Sequence, residues 1–420
     1  MARLLKVRCR ETFLKGGPPT IWQARLSDLV PVTGRANHVF DTETGESVPL
    51  TFIQQNGARF TVYSLDFDQR VLGLVKVTAG IDILKAPFLY QAQREHAEEL
   101  LLVPFDVLPA VADALTETLP EVKNVFLHNT GRCGSTLMCK AMGVINQVLA
   151  VSEPDIFTAV FERVCTRNVP IASHEEEEVT MVLRCSVQLL NFYLHLNDPS
   201  KTLICYKLRS EAIFIADLMQ KAVPESKTIY MYRDLPSFYD SMLNVDFGGS
   251  YWQYFVQTAL RYDVFFRVPT IKDQFPAIFR FAAEHPRMIT CPVPHGIPFI
   301  DVSLWILQMQ KAFDLIQEDP TNFFHACLTF KQLLEHKERI VLKVLENLGV
   351  HVSPGVESSK IWEVFGFDSQ KGNFMEGRRR GDRTLRSWVG SWEMNFFSTA
   401  LAHFNGDVDK PDFILPNTID

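Results

Sequence analysis

The sequence predicts an α/β protein built on a mostly parallel sheet with helices packed against it. The main observation is a repeated pattern of a short apolar strand, a turn and a helix, at residues 125–141, 203–222 and 228–242. Runs of β-branched and aromatic residues are typical of buried strands, and strands that alternate with helices are typical of parallel sheets. Such sheets bind ligands beside the carboxyl ends of their strands, so we expect the functional residues there.

The N-terminal part of the chain has a different pattern. We therefore divide the chain into a β-rich section at residues 1–95 and an α/β domain at residues 96–420. Alternating or apolar segments separated by turn residues indicate strands and hairpins, at residues 51–53, 59–65 and 71–77. Glu95–Leu101 and Pro109–Leu119 are then predicted as helices. The role of the first section stays open between a packing extension, a wall of an acceptor site and a partner-binding module.

The composition is that of a large globular protein. A length of 420 residues is enough for one large or two ordinary domains. The chain is 47% hydrophobic and 22% charged, as is typical of proteins with a sizeable core. The formal net charge of −7 argues against a nucleic-acid or membrane-surface protein. It also makes a long polyanion a less natural substrate. Nothing in the composition predicts an oligomeric state.

The cysteines and the apolar segments predict a cytoplasmic protein without a membrane span. None of the eight cysteines forms a C-x-x-C pair, and Cys185 and Cys205 lie in apolar runs typical of buried thiols in a reducing compartment. The N-terminus lacks the apolar core of a secretory signal, and no apolar run reaches the length of about 18 residues that a membrane helix needs. The histidines include no H-E-x-x-H spacing, so we predict no catalytic metal.

The first of the three stretches has the pattern of an anion-binding turn. Val125–Leu127 predict a strand, and Ser135 opens a helix. Between them, Gly131 and Gly134 give the turn its backbone freedom. The first N–H groups of a helix lack internal partners and bind anions well, and Arg132 adds a guanidinium suited to phosphate or sulfate oxygens. A purely structural strand-to-helix turn is the open alternative.

This turn differs from nucleotide-triphosphate and phosphatase loops. A nucleotide-triphosphate loop needs G-x-x-x-x-G-K-[ST], whereas the two glycines here are three positions apart and no lysine precedes Ser135. A cysteine phosphatase would have an arginine six positions after Cys133, where this chain has Cys139. A P-loop kinase is therefore disfavoured.

A second stretch has the same strand-to-helix arrangement and another arginine. Arg233 follows the predicted strand Thr228–Tyr232, and Pro236 suits the first turn of the next helix. Ser241 lies eight positions after Arg233, far enough along this helix to share a ligand with it. A helix cap beside a surface arginine is the alternative.

Together the two stretches resemble the sulfotransferase family that uses 3′-phosphoadenosine 5′-phosphosulfate (PAPS). The family's 5′-phosphosulfate loop, [RK]-x-G-[ST]-[ST], is matched by Arg132, Gly134, Ser135 and Thr136. The family's strand ending in R-D-P, with a serine eight residues after the arginine, is matched by Arg233, Asp234 and Ser241. The proline comes one position late, as Pro236. The resemblance implies a three-layer αβα fold of the P-loop-like sulfotransferase type.

The resemblance also implies an activity and a donor site. The activity is transfer of the sulfuryl group from PAPS to a hydroxyl or amine of a small-molecule or carbohydrate acceptor, with adenosine 3′,5′-bisphosphate as the other product. The implied donor-binding residues are Arg132, Cys133, Gly134, Ser135, Thr136, Arg233 and Ser241. A catalytically silent, sulfotransferase-like nucleotide-binding protein stays open as the alternative.

Glu153 is the expected general base of this reaction. It follows the predicted strand Val148–Val151 and precedes Pro154, and several carbohydrate-directed sulfotransferases have a similar Glu-Pro there. Small-molecule members of the family often have Lys-x-His after the next strand, whereas this chain has Lys207 and Arg209 in those places. The missing histidine shifts the expected base to Glu153. A helix cap at Glu153 is the alternative.

The remaining expectations concern basic residues. With Arg132, we expect Lys207 and Arg209 to hold the sulfuryl group or an anionic acceptor, unless they are surface charges at a strand end. The arginine-rich segment 377–383 is loosely similar to the family's C-terminal loop, which implies that Arg379 and Arg380 contact the 3′-phosphate of the donor. An exposed basic loop is the alternative.

Overall fold

A computed structural model describes most of the chain, namely residues 1–14, 39–117, 119–166, 171–247, 252, 254–256, 277–291, 296–320, 323–352, 355–367 and 387–419. The strands in this part of the chain are β1 (Ala2–Cys9), β2 (Phe40–Thr42), β3 (Glu46–Val48), β4 (Thr61–Asp66), β5 (Val71–Val77), β6 (Ala97–Pro104), β7 (Lys123–Asn129), β8 (Val148–Ser152), β9 (Leu203–Lys207), β10 (Lys227–Tyr232) and β11 (Ala326–Thr329).

The strands form two sheets. The first has six strands in the order β2–β1–β6–β5–β4, with β3 also paired to β1, and its pairings are antiparallel. The second has five strands in the order β11–β10–β7–β9–β8. In the second sheet, β8 pairs with β9 and β10 pairs with β11, in both cases in parallel. The predicted α/β class with a parallel sheet is therefore confirmed.

The antiparallel sheet contributes many side chains to an apolar core. β1 alternates buried and exposed side chains, as a strand with one covered face should. Its buried residues pack with those of β4, β5 and β6 in one cluster that includes Leu5, Tyr63, Val75 and Leu100. Burial of such side chains is the main term that stabilises the sheet.

The helices in the described part of the chain vary from one turn to seven. They are α1 (Leu50–Asn56), α2 (Leu89–Glu95), α3 (Leu108–Thr116), α4 (Ser135–Gly143), α5 (Ile156–Cys165), α6 (Ser173–Asn197), α7 (Ala216–Ala222), α8 (Leu235–Phe247), α9 (Ala277–Glu284), α10 (Pro286–Ile289), α11 (Ile297–Glu318), α12 (Phe330–His336), α13 (Glu338–Asn347), α14 (Val356–Val364) and α15 (Ser391–Phe404). None of these helices is both long enough and apolar enough to cross a membrane.

The elements predicted around the candidate site are confirmed. The strands predicted at Val125–Leu127, Val148–Val151, Leu203–Tyr206 and Thr228–Tyr232 lie in β7, β8, β9 and β10. Ser135 opens α4, as predicted, and Pro236 lies in the first turn of α8. These are strongly apolar strands followed by clear turn signals, which is where sequence patterns are most informative.

Two predictions in the N-terminal part are wrong. Glu95–Leu101 was expected to be helical, but β6 begins at Ala97 and pairs with both β1 and β5. Pairing on both sides outweighs the helix preference of its glutamate and leucine side chains. Residues 51–53 were expected to be extended, but they lie in α1, which follows Pro49.

The chain divides into two compact units. The first consists of Met1–Val125, Asn146–Leu208 and Ile215–Ser226, and it contains the antiparallel sheet together with β8 and β9. The second consists of Phe126–Ile145, Arg209–Phe214 and Lys227–Asp420, and it contains α4, β10, α8 and β11. The domain boundary placed after residue 95 stays a prediction.

Candidate functional site

The turn after β7 is fixed by hydrogen bonds at both of its first two residues. The N–H of Thr130 donates to the carbonyl oxygen of Met231 on β10 at 3.1 Å. The N–H of Gly131 donates to the side-chain oxygen of Asn129 at 2.8 Å, which closes a local turn. The chain then enters α4 at Ser135, so the free N–H groups of a helix start follow the turn directly.

Gly134 is required at the start of α4 for two reasons. Its φ of +80° lies in the left-handed region that favours glycine. In addition, a Cβ at this position would lie 2.8 Å from Cδ2 of Phe330 and 3.0 Å from Cδ2 of Leu333. The glycine therefore allows α12 to pack directly against the turn.

The two motifs of the second unit meet through Arg132. Its Nε donates a hydrogen bond to Oγ of Ser241 on α8 at 3.0 Å. Nη1 of Arg233 donates to the backbone carbonyl oxygen of Arg132 at 3.1 Å. The structure thus brings together Arg132, Arg233 and Ser241, whose proximity the sequence predicted only through spacing.

Strand pairing and an aromatic ring position Arg233. In the parallel pair β10–β11, Tyr232 lies opposite Thr329, so the next residues, Arg233 and Phe330, leave the sheet side by side. The guanidinium carbon of Arg233 lies 4.5 Å from the centroid of the Phe330 ring. This is a close cation–π contact, which favours a fixed guanidinium. Trp305 also donates its Nε1–H to the carbonyl oxygen of Arg233 at 2.7 Å.

The start of α4 offers the chemistry of an anion site. The helix dipole and free N–H groups favour negative charge there. Ser135 and Thr136 are both buried, and Arg132 and Arg233 are half-buried. Cys133, the residue between Arg132 and Gly134, is fully buried. These hydrogen-bond donors fit phosphate and sulfate oxygens, which are the anionic groups of the PAPS that the resemblance implies.

In the first unit, Glu153 and Lys207 form an ion pair at the carboxyl ends of β8 and β9. The parallel register places Ser152 opposite Lys207, so Glu153 is the first residue beyond the pairing. The Glu153 N–H donates to the carbonyl oxygen of Lys207 at 2.7 Å, and Nζ of Lys207 donates to Oε1 of Glu153. The two side chains are only 6% and 13% exposed for Lys207 and Glu153, respectively, so water screens the pair weakly.

Glu153 has an unusual backbone conformation. Its φ is +56°, in the left-handed region where side chains other than glycine are strained. Strain of this kind persists where the surrounding contacts fix the residue, here the two hydrogen bonds with Lys207. The turn therefore holds the carboxylate in one place.

An aromatic ring also contacts Lys207. The centroid of the Phe88 ring lies 5.7 Å from Nζ of Lys207, and Phe88 is buried. Lys207 therefore has a carboxylate and an aromatic ring as partners. Phe88 belongs to the N-terminal section, for which the sequence analysis left the role open.

The other predicted residues fall into two groups. Arg209 is half-buried and lies in the second unit, where its carbonyl oxygen accepts from the N–H of Ala212 at 3.1 Å. Arg379 and Arg380 lie outside the described residues.

No group of three or more histidine, cysteine, aspartate or glutamate side chains in the described ranges is arranged to hold a metal ion.

The chain that follows the arginine-rich segment is tied to α8. The N–H of Trp388 and the hydroxyl of Ser387 donate to Oδ1 of Asp240 at 2.7 and 3.2 Å. Nε1 of Trp388 donates to Oδ1 of Asn244 at 2.9 Å. Asp240 is the residue before Ser241, so this anchor lies one position from the hydroxyl that Arg132 contacts.

Sequence reasoning missed Phe88, Phe330 and Asp240. Asp240 carried a weak signal, because it precedes a predicted site serine, whereas no motif marked Phe330. Phe88 carried none, because its contact with Lys207 joins residues far apart in the chain.

Solved structures that resemble this chain include two sulfotransferases, and the likeness is distant. The sulfotransferase domain from the curacin biosynthetic pathway is 11% identical with a TM-score of 0.34, over 61% of this chain and 83% of its own. The sulfotransferase from Alicyclobacillus acidocaldarius is 11% identical with a TM-score of 0.35, over 67% and 93%. Retinol dehydratase, solved with androsterone and the inactive cofactor PAP, is 12% identical with a TM-score of 0.33, over 73% and 88%. No protein-family model and no curated protein sequence matches this chain.

Proposed function

We propose that this chain is a sulfotransferase that takes the sulfuryl group of PAPS and passes it to a hydroxyl or amine of a small-molecule or carbohydrate acceptor. The observation that best supports the proposal is the contact between the two motifs. Arg132 and Arg233 are 101 positions apart, yet Nη1 of Arg233 donates to the carbonyl oxygen of Arg132. Two arginines linked in this way are expected to serve one ligand with more than one anionic group.

Within this proposal, each donor-binding residue has a separate task. Arg132 and the helix start at Gly134–Thr136 bind the 5′-phosphosulfate, and Cys133 contributes its backbone. Arg233 and Ser241 bind the 3′-phosphate. The bond from Arg132 to Ser241 keeps both groups in place. The ring of Phe330 packs against the guanidinium of Arg233 and keeps it in place.

The proposed chemistry depends mainly on positioning and charge. PAPS supplies an activated sulfuryl group, and negative charge grows on its phosphate as that group leaves. Positive groups fixed in advance stabilise such charge without having to reorganise. Arg132 and the N–H groups of α4 serve this purpose at the 5′ end, by analogy with phosphoryl transfer.

Glu153 is proposed as the general base that removes the proton of the acceptor. The carboxylate is fixed by the strained turn and by Lys207, which meets the requirement that a base be held in place. Lys207 balances the charge of the carboxylate, and with Arg209 it is proposed to bind the sulfuryl group or an anionic acceptor.

The C-terminal arginines remain part of the proposal through their connection to α8. Arg380 lies seven residues before the anchored Ser387. A fully extended chain of seven residues spans at most about 25 Å. The anchor on Asp240 adjoins Ser241. Arg379 and Arg380 are therefore proposed as further ligands of the 3′-phosphate.

The proposal is tested by calorimetry and by a transfer assay with the whole chain. Adenosine 3′,5′-bisphosphate should bind more tightly than ATP-Mg²⁺, and Arg132→Ala and Arg233→Ala should each weaken binding by about 10- to 100-fold, as expected for lost charge-assisted hydrogen bonds. Labelled PAPS should then transfer sulfuryl to a member of an acceptor panel, and excess EDTA should not reduce the rate.

Three outcomes separate the candidate functions. Bisphosphate binding with transfer supports the enzyme. Bisphosphate binding without transfer to any acceptor indicates the silent nucleotide-binding protein. Preference for ATP-Mg²⁺, or unchanged affinity in both arginine variants, would overturn the proposed donor site.

A further inference from the structure

The N-terminal section contacts the Glu153–Lys207 pair directly. Phe88, which immediately precedes α2, is 4% exposed, and its ring faces Nζ of Lys207. The side chain of Lys207 is 6% exposed, so little water surrounds it. A buried cation is stable only where other groups replace that water. The ring of Phe88 and the carboxylate of Glu153 are two groups that do so.

The Phe88 ring is itself held by a column of packed side chains. It stacks on Tyr90 with 5.9 Å between ring centroids and 26° between ring planes. The guanidinium carbon of the fully buried Arg94 lies 5.6 Å from the Tyr90 centroid. All three side chains belong to one short segment of the first unit, so the ring under Lys207 has little freedom to move.

The same section also reaches the far end of the Glu153 turn. Tyr63 on β4 is fully buried, and burial raises its pKa well above the usual range, while the charge of Arg94 lowers it and the charge of Asp155 raises it. Asp155 is the residue before α5, and α5 packs against β4. The N-terminal section therefore also packs, through β4, against the helix that follows the Glu153 turn.

We propose that the N-terminal section is an integral part of the Glu153–Lys207 site and that Phe88 is the residue that positions Lys207. This inference rests on the proposed function for its catalytic meaning. It gives the section a task within the first unit: to fix the ammonium group, and through the ion pair to fix the carboxylate that acts as base. Phe88 is a positioning residue, since it contacts neither substrate nor donor in this assignment.

The size of the effect follows from the nature of the contact. A cation that lies over an aromatic face and is screened from water occupies that position about threefold to 30-fold more than it would without the ring. Leucine fills much of the same volume but has no ring face. Phe88→Leu should therefore free Lys207, whereas Phe88→Tyr should retain the contact.

The test uses the full chain and a readout that does not require activity. The rate at which an acylating reagent labels the Lys207 amine is measured by peptide mass spectrometry in the wild type, Phe88→Leu, Phe88→Tyr and Phe60→Leu. Phe60 is the matched control, because it has the same 4% exposure and lies in the same unit. We expect Phe88→Leu to label Lys207 about three- to tenfold faster, with the other two variants close to the wild type.

Turnover provides the second readout. Phe88→Leu should lower kcat several-fold without changing the affinity for adenosine 3′,5′-bisphosphate, and it should have no further effect in a Lys207→Ala background. Equal labelling in Phe88→Leu and the wild type, or equal gains in Phe88→Leu and Phe60→Leu, would overturn the inference while leaving the proposed function intact. Absence of transfer in the wild type would instead refute the proposed function, and the labelling rates would still decide whether Phe88 positions Lys207.

Discussion

At the scale of single residues, Arg132 and Glu153 have the same unusual feature. Both have a left-handed backbone, with φ of 51° and 56°. Such a conformation costs about 1–3 kcal/mol for a side chain other than glycine. In each case hydrogen bonds from neighbouring strands or helices hold the residue, through Ser241 and Arg233 for Arg132 and through Lys207 for Glu153. Left-handed residues thus occur at two of the positions to which the sequence assigned chemistry.

Replacement of the Glu153 carboxylate should separate its role from that of the donor site. Glu153→Gln keeps the shape of the side chain but cannot accept a proton as a base, so we expect turnover to fall by about 10²- to 10⁴-fold. The affinity for adenosine 3′,5′-bisphosphate should stay within about twofold of the wild type. Steady-state kinetics and calorimetry measure the two quantities.

Glu175→Gln is the matched control for this variant. Glu175 is also an ion-paired glutamate of the first unit, with its Oε1 2.9 Å from Nη2 of Arg163. Loss of that pair should leave turnover unchanged. If Glu153→Gln retained full turnover, another group would have to be the base.

A comparison of Gly134 with Gly80 separates two effects of an added Cβ on stability, namely overpacking and backbone strain. Gly80 has a similar φ of +85° but nothing within 4 Å of a Cβ placed there, whereas Gly134 faces Phe330. Gly80→Ala should lower the free energy of unfolding by about 1 kcal/mol through backbone strain. Gly134→Ala should lower it by a further 1–3 kcal/mol or so through overpacking, as measured by urea denaturation. Equal losses in the two variants would show that Phe330 yields without cost.

At the scale of elements, the sequence was sufficient where a strand leads directly into a turn and a helix. The motif residues Arg132, Arg233 and Ser241 could be found because each of the two motifs is local in the sequence, and a resemblance linked the two stretches. β6 was mistaken for a helix, because Ala97–Pro104 is rich in good helix formers and its extended state depends on pairing with β1 and β5. Phe88 and Phe330 could not be found, since their partners are set by register and tertiary packing.

The connection of α8 to the C-terminal segment leads to a prediction at this scale. Asp240→Ala removes the acceptor for Trp388 and Ser387, whereas Asp240→Asn retains a side-chain oxygen. If that anchor holds Arg379 and Arg380 near the 3′-phosphate, Asp240→Ala should weaken bisphosphate binding by about 10- to 100-fold. Calorimetry should find little change in Asp240→Asn.

A double-mutant cycle decides whether the loss passes through the arginines. Asp240→Ala combined with Arg379→Ala and Arg380→Ala should bind no more weakly than the double arginine variant, because both changes remove the same contact. Additive losses would mean that Asp240 supports the donor site by another route.

For the chain as a whole, one buried and two half-buried histidines link stability to pH. His128 on β7 is fully buried, its ring packs edge-on against Phe324 at 6.3 Å, and neither ring nitrogen has a hydrogen-bond partner among the described residues. Burial lowers the pKa of His128 to about 3, from an ordinary value near 6.5. Burial also lowers the pKa values of His285 and His325. The folded chain therefore keeps these rings neutral at pH values where the unfolded chain protonates them.

The sign of the resulting pH dependence is fixed. Between pH 6.5 and about 3 the unfolded chain binds a proton at His128 that the folded chain does not, so stability falls as the pH is lowered through this window. The share of His128 is at most about 1.4 kcal/mol per pH unit. His128→Leu should remove that share, while the slope due to His285 and His325 remains. Phe324→Leu, in the same core, should lower the free energy of unfolding by an amount that does not vary with pH, so the slope should stay unchanged. Urea denaturation at pH 4–7.5 measures these slopes, and a His128→Leu chain with the wild-type slope would show that this ring does not govern the acid sensitivity of the fold.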